Sequence, residues 1–138
     1  MNRAAHVAGC CHFSSEMFLS IHPIFGSWVA FRAVVVVDLA ADVLAEAPPP
    51  PLPPLLSDAE AEAARAAFAD ALKASSEAEL SVDGMPLHLA HKWEAMRDCV
   101  GRGREHRYER LQSEYHYTKE SALLQQAIVD LQIAAREN

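Results

Sequence analysis

The chain has 138 residues, and 51% of them are hydrophobic, which is enough for one domain with a buried core. The 19 acidic and 12 basic residues give a formal charge of −7, and the scattered cations argue against a nucleic-acid partner. No apolar stretch reaches the length that crosses a bilayer, and no secretory leader pattern is found. We therefore expect a cytoplasmic protein without membrane contact.

The cysteines predict neither a disulfide framework nor a metal site. Their number is odd, and Cys10 and Cys11 are adjacent, with Cys99 far along the chain. Cys10, Cys11 and His12 are consecutive, and consecutive side chains on a helix point in different directions. A zinc site needs converging ligands, and the chain has no Cys-x-x-Cys pair.

The first elements in chain order are a helix, a strand and a turn. Small and apolar residues at helical spacing predict a helix from Asn2 to about Phe13. Residues 16–21 form a candidate strand. Pro23 and Gly26 then indicate a tight turn, because proline fixes its φ and glycine tolerates conformations that a β-carbon forbids.

A second strand is predicted from Trp28 through Val34–Val37, a run without polar alternation that is typical of a strand covered on both faces. The period of two places Arg32 on the same face as Trp28. A cation in an apolar setting needs a partner. The residues alone leave two interpretations open, an internal ion pair or a ligand contact.

The middle of the chain is divided by a proline-rich segment. Residues 39–47 predict one or two helical turns, and residues 48–54 contain six prolines and predict an extended connector, with an SH3 or WW ligand as the less favoured alternative. Ser57 and Glu60 form a capping box before a helix that ends near Ser75. Its predicted buried face contains Ala61, Ala64, Phe68 and Leu72.

The second half of the chain is predicted to be mainly helical. A short strand is possible near residues 80–82, and residues 87–100 predict an extended and then helical stretch that Gly101 and Gly103 end. A further helix carries Tyr108, Leu111 and Tyr115, and a last one begins near Thr118, with Leu123, Leu124, Ala127, Ile128 and Leu131 on its packing face. Three cations, Arg102, Arg104 and Arg107, are interpreted as exposed charge, with an anion site as the alternative.

No independent catalytic constellation is found, so the residues alone predict an α+β domain. Two segments, however, resemble motifs of the cobalamin C processing family, which comprises cyanocobalamin reductases and alkylcobalamin dealkylases. Residues 4–9, Ala-Ala-His-Val-Ala-Gly, resemble its His-x-x-Gly stretch. Residues 21–32, Ile-His-Pro-Ile-Phe-Gly-Ser-Trp-Val-Ala-Phe-Arg, resemble its His-Pro-x-Phe-Gly-Gly-Trp-x-Ala-x-Arg stretch, and residues 93–100 are similar to a third, weaker motif.

The resemblance implies a partial nitroreductase-like, flavin reductase-like sheet with a β-hairpin and packed helices. Because the match begins within the family's second half, we expect that an N-terminal half with further strands is absent from this chain. The expected organisation is a cobalamin-site helix and hairpin at 1–47, a connector at 48–56 and a helical part of the same domain at 57–138.

The resemblance also implies a chemistry. Family members bind cobalamin and remove cyanide from cyanocobalamin with reduced FAD or FMN, for which NADPH is the indirect reductant. They also transfer the alkyl group of alkylcobalamins to glutathione. The expected partners are cobalamin and glutathione, with a homodimer or a downstream cobalamin-trafficking protein as possible protein partners. The alternative is a truncated, non-catalytic remnant or a partner-binding module.

Residue roles follow from the matched motifs only. Arg32 and Arg97 match the arginines that position glutathione, since guanidinium groups bind carboxylates through paired hydrogen bonds. The family's third arginine has no counterpart in residues 121–126. The positions expected to bind the corrin or the flavin are His6, Gly9, Phe13, His22, Gly26 and Trp28. Without the resemblance, His6 would be interpreted as a core histidine with satisfied hydrogen bonds.

Overall fold

The computed structural model describes residues 1–35, 38, 49–78 and 84–137. Within these residues the fold is α+β, with five helices and one antiparallel sheet of two strands, which confirms the predicted class. The strands are β1, His12–Ser14, and β2, Leu19–Ile21. The helices are α1, Asn2–Val7; α2, Asp58–Ser76; α3, Leu87–Asp98; α4, Arg110–Thr118; and α5, Ser121–Glu137.

The first helix is shorter than the sequence predicted. α1 ends at Val7, and Gly9 follows with φ +71°, a conformation that turns the chain so that His12 can begin β1. The predicted continuation to Phe13 is therefore wrong. A β-carbon at Gly9 would lie 2.9 Å from Cγ of Pro49, so the proline-rich segment passes directly over this turn.

The hairpin forms between different segments from those predicted. β2 lies inside the predicted strand 16–21, but it pairs with β1, which precedes it, with His12 opposite Ile21. The backbone N–H of Trp28 donates to the carbonyl of Phe25 at 3.0 Å, so it is used within the turn and not in pairing with β2. Residues 28–35 consequently form no strand.

The predicted burial of the valine run is also wrong where the structure describes it. Val34 and Val35 are 56% and 80% exposed. A buried strand needs neighbouring strands, and in the described residues the sheet contains only β1 and β2. Val36, Val37 and the segments 39–47 and 80–82 lie outside the described residues.

The predicted capping box is confirmed. The N–H of Ser57 donates to Oε2 of Glu60 at 2.8 Å, and the N–H of Glu60 donates to Oγ of Ser57 at 3.3 Å. On the face that packs against α3, Ala64 and Ala71 are fully buried. Leu72 was predicted to lie on this face and is instead 46% exposed, because the adjacent Ala71 occupies the buried position.

The hydrophobic core lies between the hairpin, α2 and α3. Around it pack half-buried rings and aliphatic side chains, including Phe68 and Trp93, whose ring centroids are 5.8 Å apart. The buried members of the core are Met17, Leu19, Ile21, Ala64, Met96 and Val100.

The second half is more continuously helical than predicted. α3 begins directly after Pro86, so the expected extended part of residues 87–100 is wrong. The predicted break is confirmed: Gly103 has φ +68° and precedes a short 3₁₀ turn. Thr118, where the last helix was expected to begin, ends α4. Lys119 then reverses the chain with φ +59°, and α5 packs back on α4.

Candidate functional site

Trp28 is the centre of a buried cluster of rings and cations. Its side chain is 4% exposed. Its ring centroid lies 5.5 Å from Cζ of Arg97 and 5.0 Å from Cζ of Arg107, and the ring of Tyr108 packs edge-on at 5.4 Å. A guanidinium over an indole is attracted by the negative face of the ring. Trp28 thus joins the turn after β2 to α3 and to the segment before α4.

The turn that positions Trp28 is closed by His22 and Gly26, two residues expected to shape the cofactor cavity. Their backbones exchange hydrogen bonds of 2.8 and 3.0 Å, and Nδ1 of His22 accepts from the N–H groups of Ile24 and Phe25. Gly26 has φ +57°, and a β-carbon there would lie 1.8 Å from the carbonyl oxygen of Arg102. Both residues therefore have a structural role in the turn.

Arg107 is held by carboxylates and does not provide a free cation. Its guanidinium donates to both carboxylate oxygens of Asp98 at 2.9 and 3.1 Å, and it lies 3.6 Å from Oε2 of Glu94. The hydrogen bond to Asp98 raises the pKa of Arg107. The alternative of an anion site at Arg102, Arg104 and Arg107 therefore gains no support from Arg107.

Arg97 has a different environment. It stacks near the rings of Trp28 and Tyr117, at 5.5 and 5.8 Å, and forms no ion pair with any residue that the structure describes. Its Nη1 atom is buried without a hydrogen-bond partner in this part of the chain. Its carbonyl oxygen accepts from Oγ of the buried Ser27 at 2.9 Å. The guanidinium thus keeps an unused donor.

Arg97 and Arg32 line the same pocket, although they are distant in sequence. This cavity of about 210 Å³, which we call the cationic pocket, lies between the residues after β2, the end of α3 and α4. Among the described residues, its lining includes no aspartate or glutamate. Its lining includes Ser20, Ser27, Phe31, Arg32, Arg97 and His116.

His116 is the third basic side chain of the cationic pocket. Burial lowers its pKa from 6.5 to about 4, and the charges of Arg97, Lys119 and Arg32 act in the same direction. Its ring also contacts the rings of Tyr108 and Tyr117, at 5.9 and 5.0 Å. At neutral pH the pocket therefore contains two guanidinium groups and a neutral imidazole.

A second, apolar cavity adjoins the cationic pocket. It has a volume of about 420 Å³, and the two cavities share Phe18, Leu19 and Arg97. Its other walls include the rings of Trp93 and Tyr117. Burial raises the pKa of Tyr117, which keeps the phenol neutral. The arrangement suits a ligand that has an anionic group and an apolar body.

The remaining predicted site residues lie elsewhere, and none of them lines either cavity. Nδ1 of His6 is 3.2 Å from the carbonyl oxygen of Cys11 and 3.4 Å from the N–H of Phe13, so the ring has a local hydrogen-bond partner. Gly9 faces Pro49, and the Phe13 ring packs edge-on against Phe18 at 6.4 Å. The structure therefore brings together Arg32, Arg97 and Trp28, but not the predicted corrin-binding set.

Sequence reasoning missed His116. It lies between two tyrosines on α4, and no motif distinguished it from the other six histidines. Only its position beside two arginines indicates a role.

Comparisons of the chain with protein-family models, curated proteins and solved structures find no match. In the described ranges, no group of three or more His, Cys, Asp and Glu side chains is placed to hold a metal ion. None of the helices described has the length and apolar composition needed to cross a membrane.

Proposed function

We propose that this chain takes part in cobalamin processing and that its cationic pocket binds a carboxylate of glutathione. The observation that carries the proposal is the meeting of Arg32 and Arg97 in one pocket. These are the two arginines that the family resemblance assigns to glutathione. The unused Nη1 donor of Arg97 gives the carboxylate a hydrogen-bond partner.

The size of the pocket limits what it holds. At about 210 Å³ it is smaller than the roughly 300–1,000 Å³ typical of sites for whole small molecules, so it fits a terminal carboxylate and not a corrin or a flavin. The adjoining apolar cavity adds about 420 Å³ to the site. Under this proposal cobalamin and FAD or FMN lie outside the cationic pocket, and NADPH acts indirectly.

The arginines would act in two ways. They would orient glutathione by holding its carboxylate, and their positive charge would favour the thiolate form of the attacking thiol. The bound cobalamin would supply the alkyl group that the thiolate accepts. Nothing in this scheme requires Arg107, because its charge is already paired with Asp98.

The test is thiol-dependent dealkylation of methylcobalamin, preceded by an absorbance titration that detects displacement of the lower axial base. Arg32→Ala should raise the KM for glutathione by about 10- to 100-fold, which corresponds to one lost charged hydrogen-bonded contact. Arg32 is exposed, so the variant should fold. Arg3→Ala, on the exposed side of α1, is the matched control and should behave as the parent chain. Equal activity of Arg32→Ala and the parent would refute the proposal.

A second candidate, a self-associating module without catalysis, is favoured by one observation. None of residues 121–136 is buried, although α5 carries five large apolar side chains that are more than 40% exposed. These residues contain one aspartate and one arginine, so in a chain of charge −7 this is a neutral surface on which two copies can meet without repulsion. Sedimentation that shows concentration-dependent dimers, together with no corrinoid spectral change, would favour it.

A further inference from the structure

The cationic pocket holds more basic groups than the described residues around it neutralise. Arg32 comes from the segment after β2, Arg97 from α3 and His116 from α4, and no carboxylate among the described residues lines the cavity. In this region the carboxylates of Glu94 and Asp98 are directed at Arg107. An uncompensated pair of guanidinium groups at a partly closed cavity attracts an oxyanion.

An oxyanion in this pocket would reverse the electrostatic environment of His116. Burial and the charges of Arg97, Lys119 and Arg32 keep the imidazole neutral at pH 7. A bound anion opposes those charges at close range, and a negative neighbour favours the protonated form of histidine. The imidazole can then donate a second charged hydrogen bond to the anion.

We propose that the cationic pocket captures an oxyanion together with one proton, which His116 takes up, so that binding tightens as the solution becomes more acidic. The proton comes from the solvent, and no covalent bond is made or broken. The ligand class is a carboxylate, sulfate or phosphate group. The inference uses the same pocket as the proposed function but does not require that the ligand be glutathione.

His116 is the group expected to titrate in the relevant range. The charged groups that face it are Arg32, Arg97 and Lys119, and Lys119 also donates to the carbonyl oxygen of His116. The ring of Tyr108 faces His116 from the segment before α4, and the ring of Tyr117 faces it from α4. The pKa of Tyr117 is raised. Sulfate does not change its charge in this range.

The experiment is calorimetric titration of the whole chain with sodium sulfate at pH 7, 6 and 5, at constant ionic strength and in buffers of different ionisation enthalpy. We expect the Kd for sulfate to fall by about tenfold from pH 7 to pH 5. At pH 5, each binding event should take up close to one proton. His116→Gln should bind with a Kd that is independent of pH. His88→Gln, an exposed histidine on α3, is the matched control and should keep the parent's pH dependence.

A second measurement does not depend on the folding of a variant. NMR titration of the His116 ring in the parent chain should show a higher pKa with sulfate than without it. An unchanged His116 titration, or a sulfate Kd that is equal at pH 7 and pH 5, would overturn the inference.

A parallel titration with glutathione separates this inference from the proposed function. Sulfate binding with proton uptake but no glutathione binding would refute the proposed function alone. Glutathione binding without pH dependence would refute the inference alone, and no binding of either ligand at any pH would refute both.

Discussion

The Trp28 cluster and α5 differ in how far their apolar side chains are exposed to solvent. Trp28 is 4% exposed and is enclosed by two guanidinium groups and a tyrosine ring, whereas Leu131 on α5 is 71% exposed. Both segments are apolar in sequence. The difference shows that burial depends on contacts from distant segments, because α3 and the loop after it surround Trp28 while α5 packs on α4.

The largest expected effect in this comparison comes from removing the centre of the cluster. Trp28→Ala should lower the free energy of unfolding by about 3–5 kcal/mol, because a buried indole and its cation contacts are lost together. Urea denaturation followed by circular dichroism measures it. Phe18→Ala, an exposed ring between β1 and β2, is the control and should cost less than about 1 kcal/mol. Equal losses would contradict the distinction between the two positions.

The second largest effect is expected from acidification, which should lower the free energy of unfolding through His116. The pKa of His116 is lowered from 6.5 to about 4, so the unfolded chain binds a proton that the folded chain does not bind until about pH 4. Stability from this group is therefore complete above pH 6.5 and falls as the pH decreases to 4, by at most about 3 kcal/mol. Chemical denaturation at pH 7, 5.5 and 4.5 measures the slope. His116→Gln should lose that slope, and an unchanged slope would contradict the assignment.

A smaller effect is expected from replacing Glu60, whose carboxylate links α2 to the loop after α3 by hydrogen bonds. Glu60 accepts from Ser57 in the capping box and, through Oε1, from the N–H of Gly101 at 2.8 Å. Glu60→Gln should cost about 1 kcal/mol, since one carboxylate oxygen becomes a donor. Glu62→Gln, exposed on the same helix, is the control. The midpoint temperature of thermal unfolding should be clearly lower for Glu60→Gln than for Glu62→Gln.

These same hydrogen bonds lower the pKa of Glu60, with those from Ser57 contributing most. The stability difference between Glu60→Gln and the parent should therefore be present above pH 4.5 and decrease as the pH falls below that value. A difference that is as large at pH 3 as at pH 7 would show that the cost has another cause.

The smallest effect is expected on α5. Leu131→Ala should change the free energy of unfolding by less than about 0.5 kcal/mol, because the side chain is exposed and alanine is the better helix former. Denaturation at low protein concentration measures it. A loss above about 1.5 kcal/mol would show that α5 is covered in solution, and a concentration-dependent loss would support the self-associating module.

Local sequence signals were reliable where the structure depends on neighbouring residues. The Ser57–Glu60 capping box and the chain reversal at Pro23 and Gly26 each depend on hydrogen bonds within a few residues, and both are present. Strand pairing was predicted wrongly, because periodicity does not indicate which segment lies beside β2. Gly9 was assigned to a corrin contact by motif, yet its position against Pro49 required the fold.

The sequence by itself determined the α+β class, the helix that begins after Ser57 and the presence of two motif arginines, because each depends on residue type and short-range spacing. Only the tertiary structure decided that Arg32 and Arg97 share a pocket, that Arg107 is neutralised by Asp98, and that His116 joins the first two. These relations link segments that are far apart in the chain. Charge balance in a cavity depends on which segments the fold brings together, and local sequence patterns do not contain that information.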